Sequence, residues 1–332
     1  MFFSPQQILF FCLLLSGTFT AASATSWFTA WVGLELNLMA FIPLISSKSN
    51  RFSAEAALKY FLVQALGSAI LVFTAPLSLA SPLFLPAILV ALLLKLGAAP
   101  FHFWFPPILE GLTWPQAVIL MTLQKIAPFF LISHLLNNDL INQILILTAI
   151  LSALVGAIGG LNQTSLRKIL AFSSIAHISW MLVAISLSEY TWIIYFSFYT
   201  IISSSVAMLF NFQQAYHFTQ LTTQNNPSVF TSLVNSFSLL SLGGLPPFSG
   251  FIPKWMLIEA MAKASLFLPL AFLIISALVT LYYYLRVSIT SLILLTTKKK
   301  SACTPSSSSL TSPLLLSINL FFLLIPSTFA LI

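Results

Sequence analysis

Apolar residues run along this 332-residue chain in blocks separated by short polar punctuation. The blocks are about 20 residues long, the length a helix needs to cross the hydrocarbon of a bilayer. Strands of an outer-membrane barrel would alternate apolar and polar positions, and these blocks do not. The pattern predicts helices over residues 3–22, 26–46, 57–76, 82–105, 115–136, 140–160, 168–187, 191–213, 228–262, 266–294 and 313–331. The fourth carries a glycine–proline break from Gly97 to Pro100. The ninth is too long for one straight span and carries Gly243-Gly244-Leu245-Pro246-Pro247 in its middle. The expected fold is an all-α polytopic membrane protein with about eleven transmembrane helices.

The two breaks match. Gly97-x-x-Pro100-Phe101-x-x-Trp104-x-Pro106 lines up with Gly244-x-x-Pro247-Phe248-x-x-Phe251-x-Pro253. They fall in the fourth and ninth helices, five apart. That spacing predicts two five-helix repeats, residues 1–136 and 137–297, followed by a polar loop and a last transmembrane helix over 298–332. An odd number of spans per repeat inverts the second relative to the first, an architecture common among transporters. Paired broken helices in corresponding positions point to an ion path.

Composition narrows the class further. The chain is 59% hydrophobic and 6% charged, with a mean hydropathy of +1.01. That is too little charge to solvate the surface of a soluble domain. The net charge of +7 does not indicate nucleic acid. Lys48, Arg51, Lys59, Arg167, Lys168, Lys298, Lys299 and Lys300 fall in three loops that an eleven-span count places on one side. The opposite loops, with Asp139, Glu189 and Lys263, carry almost no net charge. The positive-inside rule then puts the N-terminus inside and the C-terminus outside. Residues 2–22 followed by AASAT could be read as a signal peptide. A positively charged n-region is missing, so a first spanning helix is the preferred reading. Without an Arg-rich transit peptide, a mitochondrial location would imply synthesis inside the organelle. The tract from Lys298 to Pro313 reads as a flexible loop. Cys12 and Cys303 suggest neither a disulfide framework nor a metal site.

Candidate chemistry lies in the ionisable residues at membrane depth: Glu35, Lys95, Lys125, His177 and Lys254. A charged group there costs roughly 2.5–3.5 kcal/mol on insertion scales, so it marks a pathway or a partner. Lys125 is about ten residues from either end of its span, too deep to snorkel easily. Lys95 is similarly deep and adjoins the first break; Lys254 follows the second. Glu35 could pair with Lys95, which would couple their proton affinities. A lone histidine in an apolar helix is more often a hydrogen-bonded packing residue than a proton carrier, but the central place of His177 leaves its role open. His102 and His134 are read as structural. Desolvated lysines spaced through a membrane and joined by water can relay protons. They repel metal cations, which makes a Na⁺ or K⁺ cage less natural. No dinucleotide fingerprint, P-loop, CxxC or His/Glu metal motif is present in the sequence.

Five stretches carry a resemblance to a known family. They are Gly33-Leu34-Glu35-Leu36-Asn37-Leu38, Leu94 to Trp104 (LKLGAAPFHFW), Gln124-Lys125-Ile126-Ala127-Pro128, Leu166 to His177 (LRKILAFSSIAH) and Gly243 to Trp255 (GGLPPFSGFIPKW). In order and at family spacing they resemble the chain 2 family of mitochondrial NADH–ubiquinone oxidoreductase (respiratory complex I). The eleven-span count is similar to that of its animal members. The resemblance implies an antiporter-like, proton-pumping subunit of the membrane arm, seated in the mitochondrial inner membrane. Its N-terminus would face the matrix and its C-terminus the intermembrane side. It implies Glu35 and Lys95 as a coupled ion pair, Lys125 as the central carrier, and Lys254 as the exit toward the intermembrane side. His177 matches the family sequence without an implied role. No cofactor is expected in this chain, since NADH, FMN, iron–sulfur clusters and ubiquinone would be bound by other subunits. The expected partners are the other membrane-arm subunits and the bilayer, in a hetero-oligomer, with no nucleic acid. The reading of a different class is a stand-alone secondary cation/proton antiporter, whose five-plus-five repeat would look alike. A structural scaffold is disfavoured by the buried lysines.

Overall fold

The structure is a computed structural model that describes residues 5–46, 50–136, 138–223 and 229–293. Fourteen α-helices are described: α1 (Pro5–Ala22), α2 (Trp27–Ser46), α3 (Arg51–Ala80), α4 (Leu85–Leu96), α5 (Phe105–Gly111), α6 (Trp114–Met121), α7 (Leu123–Ser133), α8 (Asp139–Gly160), α9 (Leu166–Leu187), α10 (Glu189–Gln213), α11 (Phe218–Thr223), α12 (Val229–Gly243), α13 (Phe251–Lys263) and α14 (Phe267–Ile293). A short 3₁₀ turn, Pro82–Phe84, precedes α4. Among the described residues there is no strand, only one isolated antiparallel bridge between Ser165 and His217. Among the described residues eight segments are long and apolar enough to cross a membrane; α4 and α12 are shorter apolar helices that end at the two breaks. The all-helical membrane class is therefore borne out. The expected eleventh helix, and the basic tract from Lys298, lie outside the described residues, as does Lys48.

Three boundaries differ from the expectation. α3 starts at Arg51 rather than at 57, so Arg51 and Lys59 ride on a helix instead of a loop. Lys59 Nζ meets Glu55 Oε1 at 2.6 Å one turn earlier, and such i,i+4 pairs support an exposed first turn. The loop after α10 contains the short helix α11. The helix expected over 115–136 is two pieces, α6 and α7, interrupted at Thr122. The Thr122 hydroxyl bonds back to the Val118 carbonyl at 2.7 Å, a contact that bends helices. Pro128 six residues later has no N–H to give the Gln124 carbonyl.

The residues cluster into two compact units that divide between Ser152 and Ala153, within α8. In the first unit, α1 packs on α2 and α7, α2 on α3, and α4 on α3 and α7. Small residues let the first two backbones approach: a Cβ on Gly33 would lie 2.5 Å from the Ala21 amide nitrogen, and one on Gly17 2.8 Å from that of Asn37. Close approach at glycine is a common device for packing helices in lipid, where burial of apolar surface gives no drive.

In the second unit, α12 packs on α14 and α10, and α9 on α10, α13 and α14. α9 is 89% buried over its spanning window, so its side chains face protein rather than lipid. One end of this unit is tied together by loop contacts. Leu166 N donates to Tyr216 O at 3.0 Å and Phe218 N to Thr164 O at 3.1 Å. From α14, Arg286 donates to the carbonyls of Leu161 and Gln163 at 2.9 and 3.3 Å. The end of α8, the start of α9, the end of α10 and the last turns of α14 thus meet at one end. That alternation is the one expected for helices six to ten of the sequence reading.

Candidate functional site

Both breaks are made by the same turn. In α4, Gly97 adopts φ 74° and ψ 32°. Its N–H bonds the carbonyls of Leu93 and Leu94, and Ala98 N reaches back to Leu93 O at 3.2 Å. In α12, Gly244 has φ 76°, its N–H bonds Leu240 and Ser241, and Leu245 N reaches Leu240 O at 3.5 Å. This is a glycine-capped helix end, which closes carbonyls that lipid would leave bare. A left-handed residue other than glycine costs about 1–2 kcal/mol. The breaks read from sequence are borne out, and each sits beside a lysine.

Lys95 lies in the last turn of α4 and is 6% exposed. Its stem runs past Gly67 of α3, where a Cβ would be 3.1 Å from Lys95 Cγ. Gln64 Nε2 donates to the Lys95 carbonyl at 3.2 Å, and Trp104 Nε1 to the Leu94 carbonyl at 3.0 Å. Two side chains therefore hold the backbone at the break. The Glu35 carboxylate on α2 acts electrostatically on Lys95. Among the described residues the two do not come within salt-bridge distance.

Lys125 is 2% exposed, three residues past the Thr122 interruption, with its ammonium 5.3 Å from the Phe105 ring centroid. Lys95 and Lys125 line one small cavity, together with Tyr60, Gln64, Trp104, Phe105 and Gln124. The cavity is the size of about one water. Tyr60 and Gln124 were not singled out from sequence. Tyr60 Oη donates to Gln124 Oε1 at 3.0 Å, and Gln124 Nε2 donates to Asn37 Oδ1 at 2.9 Å. The available signal was the presence of uncharged amides, Gln64 and Gln124, inside apolar helices.

Lys254 lies in the first turn of α13 and is 8% exposed. Its Nζ donates to the Gly243 carbonyl at 2.8 Å and stands 5.9 Å from the Trp180 ring centroid. An ammonium at the C-terminal end of α12 is favourably placed against the helix dipole. His177, on the enclosed helix α9, is 9% exposed and its Nδ1 is 2.9 Å from Tyr195 Oη. It lines two small cavities. One also holds Lys254, Trp180, Ser276, Thr280 and Tyr284; the other holds Tyr195, Tyr199, Ser241 and Gly250. The structure thus brings Lys95 together with Lys125 in one unit, and His177 with Lys254 in the other. All three lysines stand at a helix interruption. Among the described residues no cluster of three or more His, Cys, Asp or Glu could hold a metal.

Gly244→Ala is expected to disturb Lys254 directly. A Cβ there would lie 2.8 Å from Lys254 Cδ and 3.0 Å from Nζ, at a left-handed backbone position. Both the turn and the lysine must move, and stability is expected to fall by about 1–3 kcal/mol. Thermal unfolding of the variant in detergent checks this.

Buried lysines at broken helices, in an all-helical membrane fold, are the arrangement expected of a transporter-like membrane protein. The transmembrane family described as NADH:quinone oxidoreductase/Mrp antiporter matches residues 24–81 and 75–280. Among curated relatives, NADH-ubiquinone oxidoreductase chain 2 of Anopheles gambiae is 44% identical over 84% of this chain and 84% of its own length. That of Xenopus laevis is 39% identical over 83% of each. The chain belongs to the NADH-ubiquinone oxidoreductase chain 2 family. Its fold is also similar to a chain of respiratory complex I from Thermus thermophilus, with a TM-score of 0.82 and 24% identity over 96% of this chain and 77% of that one. A chain of the Mrp complex from Dietzia sp. DQ12-45-1b gives a TM-score of 0.77 at 20% identity, over 90% of this chain and 61% of that one. The family resemblance drawn from sequence is borne out.

Proposed function

We propose that this chain is a core membrane subunit of respiratory NADH:ubiquinone oxidoreductase and moves protons across the mitochondrial inner membrane. Protons pass along Glu35, Lys95, Lys125, His177 and Lys254, driven by electron transfer elsewhere in the complex. The observation that carries this reading is the cavity shared by Lys95 and Lys125. Two buried lysines beside one water-sized space each carry a desolvation cost when charged, which a proton path between them would explain. Water between them can accept a proton from one and donate to the next. Glu35 biases Lys95, so a change in charge at Glu35 alters the occupancy of the first site.

Membership of the chain 2 family supports the assignment to complex I. The matching turns at Gly97 and Gly244 support two inverted repeats. The N-terminus would face the matrix, the C-terminus the intermembrane side, and a further helix would follow the described residues. NADH, FMN, iron–sulfur clusters and ubiquinone would be held by other subunits; this chain contributes carriers of protons only. The other membrane-arm subunits and the bilayer are its partners.

Mild solubilisation and affinity capture of this chain tests the reading. The expected result is co-purification with an NADH-oxidising complex, with proton flux in reconstituted vesicles that stops when NADH oxidation stops. Isolation alone, with flux that persists without NADH, would show a stand-alone antiporter instead.

A further inference from the structure

We infer that Tyr60 and Gln124 are positioning residues that orient the water joining Lys95 to Lys125. This rests on the lysine relay proposed above. Both lysines, when charged, offer only N–H donors to the cavity. A water between them must accept from one and donate onward, and it stays oriented only if a fixed acceptor takes its remaining hydrogen. Tyr60 has spent its hydroxyl proton on Gln124 Oε1 at 3.0 Å, and Gln124 has spent an amide proton on Asn37 Oδ1 at 2.9 Å. Gln64 has spent one on the Lys95 carbonyl at 3.2 Å. Tyr60 retains lone pairs on Oη, and Gln124 retains a lone pair on Oε1 and one amide hydrogen, on a cavity that both of them line.

Their positions are fixed by the packing around them. The Tyr60 ring stands edge-on to Phe41 at 5.1 Å and to Trp104 at 6.1 Å, and it is 2% exposed. The Trp104 indole is tied in turn to the Leu94 carbonyl at 3.0 Å. Gln124 is held at its other end by Asn37 of α2, two residues from Glu35. The acceptor pair is therefore built from α3 and α7 and anchored to the helix that carries the carboxylate.

The step balances without any other reactant. An ammonium N–H bond of one lysine breaks as an O–H bond forms on the water. The water passes a different proton to the neutral amine of the other lysine. One positive charge has moved, and the water is regenerated. A water held by the two oxygens makes this transfer in place; an unheld one must first reorient.

The test uses membranes with the assembled complex. Tyr60→Phe removes only the hydroxyl, and Gln124→Leu removes both ends of the amide. Loss of one orienting hydrogen bond is expected to slow the transfer roughly tenfold. Protons moved per NADH oxidised fall in the same direction as in Lys125→Ala, and the solvent deuterium isotope effect on pumping rises as proton transfer becomes limiting. A merely structural role would lower assembly or melting temperature and leave that isotope effect where it is. If Lys125→Ala is impaired while Tyr60→Phe keeps the wild-type ratio and isotope effect, this inference is overturned and the relay stands. If Lys125→Ala is also unimpaired, the relay fails and this inference with it. Should Gln124→Leu prevent assembly, Tyr60→Phe decides alone.

Discussion

Lys125→Ala lowers NADH-driven proton pumping while the complex still assembles. The two halves of this expectation have separate physical grounds. Lys125 is 2% exposed, so its charge is carried at a desolvation cost that alanine does not bear. Removing it leaves a void beside Phe105 and forfeits a cation–π contact of about 0.5–2 kcal/mol. That is a loss the surrounding helices tolerate. Under the proposed relay, function has no such relief, because a proton at Lys95 would find no second amine across the cavity. The protons moved per NADH oxidised, measured in reconstituted vesicles after native-gel confirmation of assembly, check both halves. An unchanged stoichiometry would remove Lys125 from the central role.

Gly250→Ala is expected to act in the opposite way, through assembly. A Cβ on Gly250 would overlap the carbonyl oxygen of Ser241. That neighbour is backbone within α12, so no side chain can swing aside. The start of α13 must then part from α12, and α13 carries Lys254. Overpacking of a well-packed interior typically costs 1–3 kcal/mol, and more where backbone has to shift. The expected result is loss of the assembled complex at normal expression. Recovery of full assembly with normal pumping in this variant would show that the two helix ends have more room than their geometry indicates.

The broken helices were legible because glycine and proline announce them. Gly97 and Gly244, which the matched Gly-x-x-Pro-Phe spacing marked as breaks, adopt left-handed backbone. The interruption at Thr122 was not legible in the same way. It is made by a threonine hydroxyl bonding to a carbonyl four residues back, and threonine does this in many helices that stay straight. Only Pro128 hinted at it. The lysines stood out because charge in an apolar run is rare. The side chains that wall the Lys95–Lys125 cavity did not, because a tyrosine or a glutamine in a span carries no comparable penalty once it is paired. Their pairing depends on three helices meeting, which periodicity in one stretch cannot report. His177 shows the intermediate case. Its depth was visible, but its bond to Tyr195 links residues on two helices and could be read only from the fold. The start of α3 was misplaced because Arg51, Glu55 and Lys59 look like a loop by hydropathy, while their four-residue spacing suits a solvated first turn.

The bond from Lys254 to Gly243 gives the second break an unequal grip. A hydrogen bond from a charged amine is roughly twice as strong as one from a neutral amine. The carbonyl it holds belongs to the last residue of α12, next to the turn at Gly244. A charged Lys254 therefore holds the joint between α12 and α13 more firmly than a neutral one would. Under the proposed relay, the proton carried by Lys254 would also set the stiffness of the joint beside it.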